Sequence, residues 1–202
     1  MAEIIEQQFR EICPTAAKNA DVFIGYLNKT FAKYAIDTPL RMAMFVAQLA
    51  HESEAFHYTR EIWGPTAQQK RYERDFKSAW PPTAQDNTNK LAYSLGNDMA
   101  GEGSKFRGRG LIMITGKTNY TRISKDLFGD NTLVVNPQLL ETPQYATISA
   151  GWFWDKHNLN LVADTDDLEH CTKVINGGLN GIESRKAYYE RAKVALGVVA
   201  TS

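Results

Sequence analysis

Apolar residues recur at helical spacing from the start of the chain: Ile4, Ile5, Phe9 and Ile12 share one face and stop before Pro14. Val22, Phe23, Tyr26, Leu27 and Phe31 draw a second stripe, which predicts a helix over 16–34. Thr38-Pro39 offers a cap followed by proline at the first helical position, where a missing N–H costs nothing. Met42, Phe45, Val46 and Leu49 then mark the buried face of a third helix that the pattern carries to about Phe56. Residues 66–98 are polar and read as two helices split by Trp80-Pro81-Pro82. From Gly101 to Gly116 the chain becomes glycine-rich and then apolar, predicting a loop that feeds a short strand or extended turn at Leu111–Thr115. Helical spacing returns over 117–128, 143–157, 166–175 and 182–196, with Asn176-Gly177-Gly178 as a stop between the last two. No repeat or linker-like stretch divides the chain, so the pattern predicts a mainly α-helical single domain over 1–202.

Charge and cysteine usage narrow the partners. With 43% hydrophobic and 23% charged residues the chain can build an ordinary core. Its 23 basic and 23 acidic side chains balance, so no summed field draws it to nucleic acid or an anionic membrane. Glu3 and Glu6 sit where an export signal needs basic and then unbroken apolar residues, so no signal peptide is expected and the chain is expected to be made in the cytoplasm. No stretch reaches the ~18 apolar residues of a membrane span. Cys13 and Cys171 are expected as buried thiols rather than a bridge.

Several motifs fail on spacing. Gly110 to Thr118 resembles a phosphate-binding loop, but five bulky residues separate its glycines where four are required. His51-Glu52 begins like a zinc-protease helix, yet Ala55 stands where the second histidine belongs, so no metal and no cofactor is expected. No Gly-x-Ser-x-Gly elbow occurs. Arg107 and Arg109, two arginines in a neutral chain, fit a carboxylate or sugar face better than RNA.

Glu52 stands out by its phase. It follows Leu49 by three residues and Phe45 by seven, which puts a carboxyl on the apolar stripe of its helix while His51 points elsewhere. A structural ion pair would explain it; so would a general acid whose burial keeps it protonated. Glu61 lies nine residues on, past the helix end, and two carboxyls facing a glycine-rich segment are the equipment of glycoside hydrolysis.

Ala47-Gln-Leu-Ala-His-Glu-Ser53, Glu61, Phe106-Arg-Gly-Arg-Gly-Leu-Ile-Met-Ile-Thr-Gly-Lys-Thr-Asn-Tyr120 and Ile175-Asn-Gly-Gly-Leu-Asn-Gly181 together resemble glycoside hydrolase family 19, in family order and across about residues 42–190. Within it they are similar to the short phage endolysins and their prophage relatives. The resemblance implies an α+β, lysozyme-like fold of two helical lobes around a substrate cleft with a small extended element. It implies inversion, with Glu52 as general acid, Glu61 as base and Thr115 holding the attacking water. Asn119 and Asn176 match sugar-binding amides, and Arg185 matches an arginine near the base. Met113 replaces a glutamine of the substrate-binding pattern, and Glu54-Ala55 replaces a pair of small residues. The implied activity is hydrolysis of the bond between N-acetylmuramic acid and N-acetylglucosamine in peptidoglycan. A chitinase and an inactive carbohydrate-binding protein are the alternatives. The expected partners are glycan strands, with no nucleic acid and no stable membrane insertion. The expected form is a monomer without a wall-binding module, dependent on a holin for release to the periplasm and cell wall.

Overall fold

Thr38 and Pro39 act as their spacing requires: Thr38 Oγ1 accepts the Arg41 N–H at 3.2 Å, and the helix runs from Pro39 to Glu52. In the computed structural model, which describes residues 3–198, this is α3, after α1 (Glu6–Ile12) and α2 (Val22–Lys33). The short helices α4 (Ala67–Lys70), α5 (Lys90–Leu95) and α6 (Glu102–Lys105) follow, then α7 (Lys117–Phe128) and α8 (Thr132–Val135). A 3-10 helix at Pro137–Glu141 leads into α9 (Pro143–Lys156), α10 (Leu159–Asp164), α11 (Leu168–Asn176) and α12 (Ile182–Ala195).

Every residue of α3 from Met42 to Ala50 is buried, so the expected stripe widens to the full circumference. Such a helix belongs in the middle of a core. Around it pack α12 and α10, with α1 against α12 and α2 against α9. Phe45 meets Trp154 of α9 edge-on at 5.2 Å and Phe31 of α2 at 6.0 Å, and burial of each such ring contributes about 1.5–3 kcal/mol. The second lobe is built from α4 to α7, joined back to α9 through α8 and the 3-10 helix. The architecture is mainly α, two lobes with the glycine-rich loop between them.

Three sequence expectations change in detail. The second helix starts at Val22, because Arg10 donates to the carbonyls of Ala16, Ala17 and Lys18 and pairs with Asp21 at 2.5 Å. Those carbonyls find their partners outside any helix. The third helix ends at Glu52, since Glu54, Ala55 and Phe56 take positive φ. The extended element consists of two isolated bridges, Arg60 with Arg109 and Arg109 with Ile114; the run from Leu111 turns between them.

Candidate active site

At the end of α3, Glu52 is half-buried, its side chain 18% exposed, and its Oε1 accepts a hydrogen bond from the guanidinium of Arg185. Arg185, on α12, is 1% exposed and also donates to Gln48 Oε1 and to the Asn180 carbonyl. Gln48, buried one turn before Glu52, donates in turn to Thr172 Oγ1 of α11 at 3.1 Å. An arginine this deep is tolerable only when paired and hydrogen-bonded, and this network supplies both. It fixes one carboxylate oxygen and leaves Oε2 without a partner among the described residues. His51 points back at α12 and its ring fills the space beside Gly181. Its pKa is pushed down, first by burial and then by Arg185, with Glu52 opposing.

Glu61 is held by a different set of groups. Its backbone N–H donates to the Gly108 carbonyl at 2.8 Å, and the Gly108 N–H returns a bond to Oε2 at 3.2 Å. Gln69 donates to Oε1 at 2.9 Å and, through its own Oε1, accepts the Thr66 N–H that completes the cap of α4. The Tyr72 phenol stands close enough that its pKa is raised, by burial first and then by the charge of Glu61. The loop behind Gly108 is pinned by Arg109, 5% exposed, which donates to Glu141, to the Lys105 carbonyl and to the Tyr120 hydroxyl.

The two glutamates line one cavity of about 400 Å³, together with Tyr58, Tyr72, Met113 and Thr115. Thr115 faces Glu61 across Gly108: a Cβ at Gly108 would lie 3.3 Å from Thr115 Oγ1 and 3.4 Å from Glu61 Oε2. The Thr115 hydroxyl donates to the Met113 carbonyl at 2.8 Å, which leaves its oxygen free to accept. Two further cavities adjoin. One of about 560 Å³ shares Glu52 and Glu54, and one of about 810 Å³ shares Met113 and Thr115. The three make a groove through the glutamate site.

The remaining sequence candidates scatter more. Asn119 lines the larger cavity and is anchored by its amide to the Thr115 carbonyl at 2.8 Å. Met113, at φ +54, stands between that cavity and the glutamates. Asn176 is exposed at the end of α11 and lines none of the three cavities, although its neighbour Ile175 reaches the larger one. Arg185 requires a correction. It was expected beside Glu61 and in contact with sugar, but it lies under Glu52, because α12 packs along α3 and not along the loop of Glu61. At 1% exposure it reaches no ligand and acts through Glu52.

No family model matches the chain. It is 30% identical over 207 residues, 95% of this chain and 96% of the other, to a glycosyl hydrolase family 19 domain-containing protein of Haemophilus influenzae (strain Rd). The chain belongs to glycosyl hydrolase family 19. It is a glycoside hydrolase. Chitinase 6 of Oryza sativa subsp. japonica is 27% identical over 173 residues; these cover 80% of this chain but only 54% of the rice protein. The solved structure of a bacterial family 19 chitinase superposes with a TM-score of 0.67 at 19% identity, over 98% of this chain and 97% of the other, and shows the shared lysozyme-like fold.

Three supporting residues of this family 19 hydrolase, Gln48, Gln69 and Tyr72, are not singled out by the sequence motifs. Gln48 shares the phase of Glu52, four residues earlier, so the argument that singles out one buried polar residue also singles out the other. Gln69 is visible only as the last residue of Thr66-x-x-Gln69, a capping pattern that says nothing of its second bond to Glu61. Tyr72 carries no signal in the sequence.

Proposed function

We propose that the protein cleaves peptidoglycan between N-acetylmuramic acid and N-acetylglucosamine by inversion, with Glu52 as general acid, Glu61 as general base and Thr115 positioning the water. The observation that carries this reading is that two glutamates, each fixed through a separate set of hydrogen bonds, line the same cavity. To act as the acid Glu52 must carry a proton, which in this mechanism sits on the open Oε2 while Oε1 accepts from Arg185, and it passes that proton to the departing oxygen. The base takes the proton of a water that the Thr115 oxygen accepts from, on the opposite face of the sugar. Charge-neutral partners around Glu61, an amide and a backbone N–H, support a carboxylate ready to receive that proton.

In this proposal residues 1–202 act as one catalytic domain, as a monomer, and Asn119, which lines the groove, contacts the sugars beyond the cut. Among the described residues no helix is long and apolar enough to cross a membrane. The proposal includes passage from the cytoplasm to the wall through a membrane lesion such as a holin makes; expression with a holin should lyse cells that tolerate the protein alone. A second reading is favoured by the similarity to rice Chitinase 6: the same groove hydrolysing polymers of N-acetylglucosamine. Purified peptidoglycan and chitin oligosaccharides of matching length separate the two. The proposal expects kcat/KM to favour peptidoglycan by at least about tenfold, because a groove that admits the lactyl and peptide branches packs loosely on chitin. Faster cleavage of chitin, with no new reducing ends from peptidoglycan, would establish the chitinase reading.

A further inference from the structure

The cavity of about 810 Å³ beyond Met113 and Thr115 differs in chemistry from the cleft that holds the glutamates. Two of its walls are α7 and α9, closed by Leu95, the loop from Ile112 to Thr115 and Ile175 of α11. On α7, Asn119, Arg122 and Lys125 follow one another at steps of three residues. On α9, Trp152 is 8% exposed and lays an apolar surface, with Phe153 beside it. One carboxylate, Asp126, lines the cavity, and its charge is already met: it accepts Lys156 Nζ at 2.9 Å and Trp152 Nε1 at 2.8 Å. Arg122 and Lys125 are exposed and form no ion pair among the described residues. The cavity thus offers two cations without a direct ion-pair partner among the described residues above an aromatic floor, at the side of the cleft where Thr115 and Asn119 stand.

We propose that this cavity receives the peptide stem of the muramic acid residue, with its free carboxylates paired to Arg122 and Lys125. The inference rests on the peptidoglycan reading above. Chitin carries no charge for these cations to meet, whereas a peptide-bearing glycan strand presents carboxylates at each stem. The reach fits: Asn119 to Lys125 covers about 9 Å of helix at 1.5 Å per residue, the length of roughly three residues of extended peptide. A cavity of about 810 Å³ is also in the range that encloses a ligand of several residues' bulk. Sugar recognition stays with the glutamate cleft and with Asn119 at the edge of this cavity, and stem recognition by Arg122 and Lys125 is a separable contribution to KM.

The test compares glycan strands carrying free stem carboxylates with the same strands after carbodiimide coupling to methylamine, which removes the charge and keeps the peptide. Wild-type kcat/KM is expected to fall about tenfold on blocking, through KM. The R122A/K125A double variant should start near that lower value on the free strands and be indifferent to blocking, while R122K/K125R restores the wild-type pattern. Both side chains are exposed, and a thermal melt confirms that the alanine variant is folded. A wild type indifferent to blocking, or a double variant that loses equally on both substrates, would overturn the stem proposal alone. Failure of the wild type to cut either form of peptidoglycan while cutting chitin would overturn the peptidoglycan reading with it.

Discussion

Glu52 is shared between a buried arginine and an open cavity, and substitutions on its two sides should behave differently. Glu52→Gln keeps an oxygen that can still accept from Arg185 but removes its counter-charge, so it should lower the melting temperature while leaving the protein folded, and lower kcat by about 10²–10⁴. Arg185→Ala strips the donor from both Glu52 and Gln48. It should cost about 3–5 kcal/mol of stability, read by denaturant unfolding, as expected when one member of a buried pair is lost. Gly108→Ala pushes a methyl group to within 3.3 Å of Thr115 Oγ1 and 3.4 Å of Glu61 Oε2, and should reduce kcat more than it raises KM. Cys13 and Cys171 are buried and unbridged, and burial pushes both thiols up to about 12. Neither should react with a thiol reagent at pH 8 until the protein is unfolded. At this scale the sequence reveals a residue when its phase conflicts with its polarity, as for Glu52. It hides residues such as Gln69, whose work is done across a gap that no periodicity describes.

Among the elements, α3, α7, α9, α11 and α12 are legible because each buries a face at helical spacing. The two polar helices expected over 66–98 shrink to α4 and α5. In between, Asp75 accepts the Lys77 N–H at 2.9 Å, Asp86 accepts the Ala79 N–H at 2.8 Å, and buried Asn89 bonds the Asp75 backbone. Side chains that satisfy backbone groups in this way make a helix unnecessary, and composition alone does not say which outcome prevails. The short α10 was not expected; it is tied to α3 by Arg41, which bonds Asp164 at 2.6 Å. That bond holds the Asp164 carboxyl below its ordinary value. With the folded pKa depressed, the pair's contribution is full above about pH 4 and lost as pH falls. Asp164→Asn should therefore destabilise at pH 7, and by progressively less as pH falls below about 4. The meeting of α3 with α12 is the joint that matters most for Glu52. A Cβ at Gly181 would lie 2.2 Å from the His51 ring, and φ is +73 there. Gly181→Ala should lower both stability and activity by displacing the last turn of α3.

The whole molecule presents a groove with three parts: the cavity under His51 and Glu54, the glutamate cleft, and the cationic cavity between α7 and α9. Its mainly helical build follows from the sequence pattern, and its family from motifs spread along the chain and from the Haemophilus relative. The groove itself is not in the pattern, because it is made of loops between helices and of the contact of two lobes. The most direct measurement of the account is the identity of the reducing-end sugar, by mass spectrometry, after purified peptidoglycan is digested with wild type and with folded E52Q. The account predicts new N-acetylmuramic acid reducing ends from the wild type and at least about a hundredfold fewer from E52Q. A wild type that releases none, or an E52Q that matches it, would contradict the central claim.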